Sequence, residues 1–113
     1  MNLKTIIDQV GLTQHSGADQ AALLEVTGGY AGDLLSEVMA NGNPGQLWVT
    51  RQVHQNIVAV AVLKELSAVV IIQGAQPDQD TLIKAEKEGL AILSSPLPAF
   101  EVIGRIYALL HQG

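Results

Sequence analysis

The chain has 113 residues, of which 48% are hydrophobic and 15% are charged, and its formal net charge is −5. This length suits one domain, so we expect a single domain over residues 1–113. The negative charge, with no two basic residues adjacent, argues against nucleic acid polymers and anionic membranes as partners. The absence of cysteine excludes disulfides, thiolate zinc sites and thiol nucleophiles.

The location and the oligomeric state are also expectations from composition. Residues 1–10 contain Lys4 and Asp8 and lack the long apolar stretch of a signal peptide. The longest fully apolar run, Ile57 to Leu63, is far shorter than the ~20 residues of a membrane span. We therefore expect a cytoplasmic protein. Because so few residues are charged, we also expect a partner to cover apolar surface, most simply a second copy in a homodimer.

The first third of the chain predicts two helices and one strand. Apolar residues at helical spacing predict a helix over residues 2–10, which Gly11 ends. Residues 12–22 are polar and predict a loop or a short strand. Residues 23–27 read as a strand, and residues 33–40 predict a second helix that ends at an Asn-Gly-Asn-Pro-Gly break.

From residue 46 onward, short apolar strands alternate with amphipathic helices. Residues 54–66 fit either a buried helix or a buried strand by periodicity, and their length favours the helix. Uniformly apolar, β-branched residues 68–72 are typical of a central parallel strand buried on both faces. The predicted strands are 46–50, 68–72 and 90–94, and the predicted helices are 54–66, 78–88 and 98–110. Trp48 is expected in the core.

This alternation predicts the fold class. Strands that alternate with helices form right-handed crossovers and a mainly parallel sheet. We therefore expect an α/β fold with a mainly parallel sheet of about five strands and helices on both faces.

Ligands of such sheets bind beyond the carboxyl ends of the strands. Polar, small or glycine residues follow the four main predicted strands, and the same segments contain Arg51, Gln73 and Gln76. A rim of hydroxyls, amides and one imidazole suits hydrogen bonding to a small polar ligand. The candidate ligand-binding residues are Gly28, Gly29, Tyr30, Asp33, Thr50, Gln52, His54, Asn56, Gly74, Ser94 and Ser95.

Each of these features also has a structural interpretation. Gly28 and Gly29 fit a turn that needs positive φ, and Asp33 fits a helix cap better than a ligand contact. Thr50 and Asn56 also fit caps. His54 fits a general base, a metal ligand or a surface histidine. The sequence lacks the nucleotide-binding loop motifs, a nucleophile elbow and paired histidines, so we expect no enzyme activity, no cofactor and no bound metal.

Two stretches carry a family resemblance. Val26-Thr-Gly-Gly-Tyr30-Ala-Gly-Asp33-Leu-Leu-Ser36 and Leu47-Trp-Val-Thr50-Arg-Gln-Val-His54-Gln-Asn56 resemble the DRTGG domain family. The resemblance continues through the segment ending at Gly74 and through Ser94-Ser95, and so covers nearly the whole chain. Of the family's eponymous pentapeptide, Thr27-Gly28-Gly29 is recognisable.

The resemblance implies both a fold and a role. DRTGG domains are similar to the N-terminal domain of HPr kinase/phosphorylase, an α/β domain without that enzyme's ATP site, and they occur beside CBS domains and phosphotransacetylase-like enzymes. The chain is thus expected to be a non-catalytic regulatory module that binds a small polar metabolite or nucleotide at the strand carboxyl ends. The alternative is a protein–protein interaction domain that docks on a metabolic or redox enzyme without a small ligand.

Overall fold

The order of elements follows the predicted alternation. A computed structural model describes residues 1–112, and for Gln20 the backbone alone. These residues form helices α1 (Leu3–Val10), α2 (Ala18–Ala21), α3 (Leu35–Asn41), α4 (Asn56–Leu63), α5 (Gln79–Glu88) and α6 (Ala99–Leu110), and strands β1 (Thr13–Gln14), β2 (Gly28–Ala31), β3 (Gln46–Thr50), β4 (Ala68–Ile71) and β5 (Ala91–Ser94). No helix within this part of the chain is long and apolar enough to cross a membrane.

The five strands form one sheet in the order β1-β5-β4-β3-β2. Strands β2 to β5 are parallel to their neighbours, and the two-residue β1 pairs antiparallel with β5. The predicted α/β fold, with a mainly parallel sheet of five strands, is confirmed. All residues of β4 and β5 are buried, as expected for parallel strands that are covered on both faces.

Helices cover both faces of the sheet. Helices α3, α4 and α5 connect successive strands in one direction across the sheet. Because crossovers share one hand, these three helices lie on the same face. They pack there with a core that contains Trp48, Val69 and Ile92. Helices α1 and α6 pack on the other face with a core that contains Leu47, Val70 and Leu93.

Two helix ends match their sequence signals. Gly11 follows α1 at φ 78° and Gly89 follows α5 at φ 70°, both in the left-handed conformation that favours glycine at this position. The side chain of Asn2 accepts a hydrogen bond of 2.9 Å from the backbone N–H of Thr5 and so caps α1.

The strand predicted over residues 23–27 is wrong. Residues 24–26 instead run beside the start of the chain, where Leu3 donates its backbone N–H to Leu24 and Val26 donates to Met1. The strand forms over Gly28–Ala31, in register with Gln46–Val49 of β3. Intrinsic β-propensity favours the apolar segment, but pairing with β3 decides where the strand forms.

Candidate functional site

The carboxyl ends of three parallel strands meet at one edge of the sheet, which we call the carboxyl edge. Thr50, the last residue of β3, is in register with Ile71 of β4, which in turn pairs with Ser94 of β5. At the end of β2, the backbone N–H of Gly32 donates to the carbonyl of Val49. The prediction that the polar segments after β3, β4 and β5 share an edge is confirmed by this register.

Asp33 organises the turn that follows β3. Its Oδ1 accepts hydrogen bonds from Thr50 Oγ1 at 2.7 Å and from the backbone N–H of Arg51 at 2.8 Å. These bonds stabilise the carboxylate and, with the nearby charge of Arg51, lower the pKa of Asp33 although partial burial opposes them. The favoured interpretation of Asp33 as a helix cap is wrong, because Leu34 occupies the cap position of α3 and no side chain caps it.

The turn after β3 is held by further hydrogen bonds. Gln52 donates its side-chain amide to the carbonyl of Asp33 at 2.8 Å, and its backbone N–H donates to Thr50 Oγ1 at 3.1 Å. Thr50 is 1% exposed. Thr50 and Gln52 therefore shape the turn, and the exposed Arg51 extends from it.

His54 lies at the far end of the same loop. Its Nδ1 is 2.9 Å from Asp78 Oδ2, and both side chains are largely exposed. The loop itself is fixed because the carbonyl of Val53 accepts from Thr81 Oγ1 at 2.6 Å. Asn56 is the exposed first residue of α4; Gln55 takes the cap position without a side-chain bond, so capping by Thr50 or Asn56 is not observed.

Two loops join at the ends of β4 and β5. Gln73 and Gly74 adopt φ values of 59° and 71°, and left-handed backbone is uncommon for a residue such as glutamine. Their backbone N–H groups donate to the carbonyls of Leu97 and Ser95 at 3.0 and 3.1 Å. Gly74 and Ser95 thus lie at the carboxyl edge and hold the loops in place, with the exposed Gln73 beside them.

Ser94 is the last residue of β5, which is separated from β2 by β4 and β3. Its Oγ is 2.7 Å from Nε2 of His15, and Ser94 is 8% exposed. Sequence reasoning missed this pair because 79 positions separate the two residues.

An open cleft of about 270 Å³ lies at the carboxyl edge beside the start of α6. Its polar lining comes from Asp33, Thr50, Arg51 and Gln73. Among the predicted contacts, Asp33 and Thr50 therefore line the cleft. Arg51 and Gln73 were assigned no contact from sequence, although they lie in the predicted segments. The remaining lining residues are Ala31, Gly32, Val49, Ile72, Ala99 and Ile103.

Gly28, Gly29 and Tyr30 do not follow a strand as predicted, because they form β2 itself. Gly28 is in register with Gln46, at the opposite end of β3 from Thr50. The glycines therefore lie away from the carboxyl edge, and the expectation of a positive-φ turn at this position is wrong, since neither has positive φ. All three residues line a second groove of about 300 Å³ between β2 and α6.

Comparison with known proteins identifies a structure with a related fold. No protein-family model matches the sequence, and no curated protein matches it. The crystal structure of the CBS and DRTGG domains of the regulatory region of Clostridium perfringens pyrophosphatase, complexed with its activator diadenosine tetraphosphate, superposes with a TM-score of 0.74. Sequence identity is 13%, and the match covers 93% of this chain and 45% of that chain. This likeness shows a related fold.

Proposed function

We propose that the chain is a regulatory module of the DRTGG type that binds a small polar metabolite or nucleotide in the cleft at the carboxyl edge. The observation that carries the proposal is that the exposed guanidinium of Arg51 and the carboxylate of Asp33 meet in one cleft beyond the strand ends. The structural neighbour is a regulatory region in complex with a nucleotide activator, which supports a nucleotide as the first ligand to test.

The two charged groups suit different parts of a nucleotide. The Arg51 side chain forms no hydrogen bond or ion pair within residues 1–112, so its guanidinium is available to a phosphate. Asp33 has a lowered pKa, so its carboxylate stays ionised at neutral pH and accepts hydrogen bonds. An ionised carboxylate at the end of a β-strand is suited to ribose hydroxyls.

The geometry favours binding over catalysis. His54 has an orienting carboxylate in Asp78, but no serine or threonine hydroxyl within residues 1–112 is hydrogen-bonded to its ring. The histidine–hydroxyl pair that the structure does contain, His15 with Ser94, places a nearly buried hydroxyl outside the cleft. We therefore propose a non-catalytic module, and from the sequence we propose that it is cytoplasmic.

The proposal is tested by calorimetry and thermal shift with AMP, ATP and diadenosine tetraphosphate. A ligand at 100 times its Kd should stabilise the fold by about 2.7 kcal/mol. Arg51→Ala should weaken binding by about 10-fold or more, since hydrogen bonds to charged groups contribute about 1.5–3 kcal/mol. His54 and Asn56 do not line this cleft, and His54→Ala and Asn56→Ala test separately whether these two residues, predicted as contacts from the sequence, affect binding.

The matched control is Lys87→Ala, which removes an exposed cation from the last turn of α5, away from the cleft. Equal affinity in wild type, Arg51→Ala and Lys87→Ala would contradict the proposed site.

A second candidate function, a protein–protein interaction domain, is favoured by the outer surface of α4. This helix has no charged residue, although Val62 is 42% and Leu63 68% exposed, and Ile83 of the neighbouring α5 is 50% exposed. A helix that is apolar on all sides is normally buried. This surface is where we propose that a second copy in a homodimer, or a metabolic enzyme, docks.

The test of this candidate is the oligomeric state by light scattering after size exclusion, followed by a pull-down. Leu63→Glu should convert a dimer into a monomer, whereas Leu23→Glu, at a site that is 81% exposed, should not. A monomeric wild-type protein that captures no stoichiometric partner would contradict this function.

A further inference from the structure

The groove between β2 and α6 borders the backbone edge of a strand. Its walls are mainly apolar side chains of β3 and α6, among them Leu47, Ile103, Ile106 and Leu110. Every residue of β2 lines it, although successive side chains of a strand point to opposite faces. Because residues of β3 line it as well, the groove lies on the face of β2 and β3 that α6 covers. It reaches the outer edge of β2, which pairs with no strand within residues 1–112.

Gly29, which is in register with Leu47 on the face of the sheet that α6 covers, keeps this groove open. A Cβ atom at Gly28 would meet nothing closer than 3.9 Å, and one at Gly29 nothing closer than 3.7 Å. Neither residue has positive φ. Local backbone geometry therefore does not require glycine at these positions. Glycine inside a strand often marks close approach of a ligand or another backbone, and a side chain at position 29 would occupy that space.

The groove adjoins the cleft at the carboxyl edge. Ala31, Val49 and Ile103 line both. The combined space falls within the ~300–1,000 Å³ that small-molecule sites occupy. One end holds the charged pair Asp33 and Arg51, whereas the groove is lined by no Asp, Glu, Lys or Arg side chain.

We infer that the ligand of the proposed site is a nucleoside phosphate whose base lies in the β2–α6 groove while its phosphate binds Arg51. The inference rests on the proposed function and extends it to the groove. Charge complementarity sets the orientation, because Arg51 is at the cleft end, whereas the groove end has no Asp, Glu, Lys or Arg and one histidine, His111. The free N–H and C=O groups along β2 suit the hydrogen-bonding edge of a heterocycle, and a simple acyl chain would leave them without partners.

The experiment compares AMP, ribose 5-phosphate and decanoate by calorimetry on the wild-type protein and three variants. Wild-type protein should bind AMP at least about tenfold more tightly than ribose 5-phosphate, since the sugar phosphate lacks the buried base. Gly29→Val, which favours a strand but fills the groove, should reduce this ratio to about one. Gly104→Ala is the matched control, because a Cβ at this exposed position of α6 meets nothing within 4 Å.

The outcomes separate the two proposals. Equal affinity for AMP and ribose 5-phosphate in the wild-type protein, with both lost in Arg51→Ala, would retain the cleft and overturn the groove. This comparison does not depend on whether Gly29→Val folds. AMP affinity unchanged in a folded Gly29→Val protein, or decanoate binding more tightly than AMP, would also overturn the groove. No binding of any phosphate probe would overturn both proposals.

Discussion

Removing the Asp33 carboxylate tests its role in holding the turn that follows β3. Asp33→Ala leaves the buried hydroxyl of Thr50 and the backbone N–H of Arg51 without their acceptor. Hydrogen bonds to a charged group contribute about 1.5–3 kcal/mol, and exposure of Asp33 places the effect toward the lower end. We expect the free energy of unfolding to fall by about 2 kcal/mol in Asp33→Ala and by about 1 kcal/mol in Asp33→Asn, which keeps an amide oxygen as acceptor.

The stabilisation by Asp33 should depend on pH with a defined sign. The pKa of Asp33 is lower in the folded protein than its usual 3.8, so the folded state binds the proton more weakly than the unfolded state. The contribution is therefore complete above about pH 4 and is lost as the pH falls below 3.8 through the folded pKa. Around neutral pH the contribution of Asp33 to the free energy of unfolding should not change with pH.

The assay is urea unfolding, followed by circular dichroism, at pH 7, 5 and 3. The difference in unfolding free energy between wild type and Asp33→Asn should be equal at pH 7 and 5 and smaller at pH 3. Glu65→Gln is the matched control, since the exposed Glu65 carboxylate accepts no hydrogen bond within residues 1–112 and lies outside the helices, away from any helix N-terminus. An Asp33→Asn difference that is the same at all three pH values would refute the role of the ionised carboxylate.

Three further predictions concern the scaffold. Trp48→Phe removes the 2.8 Å hydrogen bond from the indole N–H to the carbonyl of Gly32 and should cost about 1–3 kcal/mol in urea unfolding. Gly17→Ala should lower the melting temperature by roughly 10 °C or more, because Gly17 has φ 69° and a Cβ would lie 2.7 Å from backbone atoms. Backbone amides of residues 28–31 should exchange hydrogen faster than those of the central β4, because β2 is an edge strand with two glycines; equal protection would contradict this.

Much of the sheet could be predicted because burial of parallel strands is visible in composition. Residues 68–72 are uniformly apolar, and β4 forms there as Ala68–Ile71. Because the strands alternate with helices, they were expected to run parallel, with their carboxyl ends at the same edge of the sheet. The segment after β3 was correctly expected at that edge for the same reason.

The position of β2 could not be predicted from the sequence because pairing with β3 determines where this strand forms. Gly28 and Gly29 have low β-propensity, whereas residues 23–27 have the apolar composition of a strand. The strand forms about one strand length later in the chain than predicted. Gly28 and Gly29 therefore lie beside the groove and not at the carboxyl edge, where they were expected. The contacts His54–Asp78 and His15–Ser94 were also beyond sequence reasoning, since each joins residues far apart in the chain.

Strand β2 links the two parts of the proposed site. Asp33, which follows β2, fixes the turn that carries Arg51, while Gly29 within β2 borders the groove. A ligand in the groove would therefore contact β2, the strand that precedes Asp33, and Asp33 holds the turn at Arg51. A ligand that reaches both parts would bridge β2, β3 and α6, and it would stabilise the β2 edge of the sheet. Binding would thus stabilise an edge strand, which gives the proposed regulatory module a physical means of coupling ligand occupancy to a change at its surface.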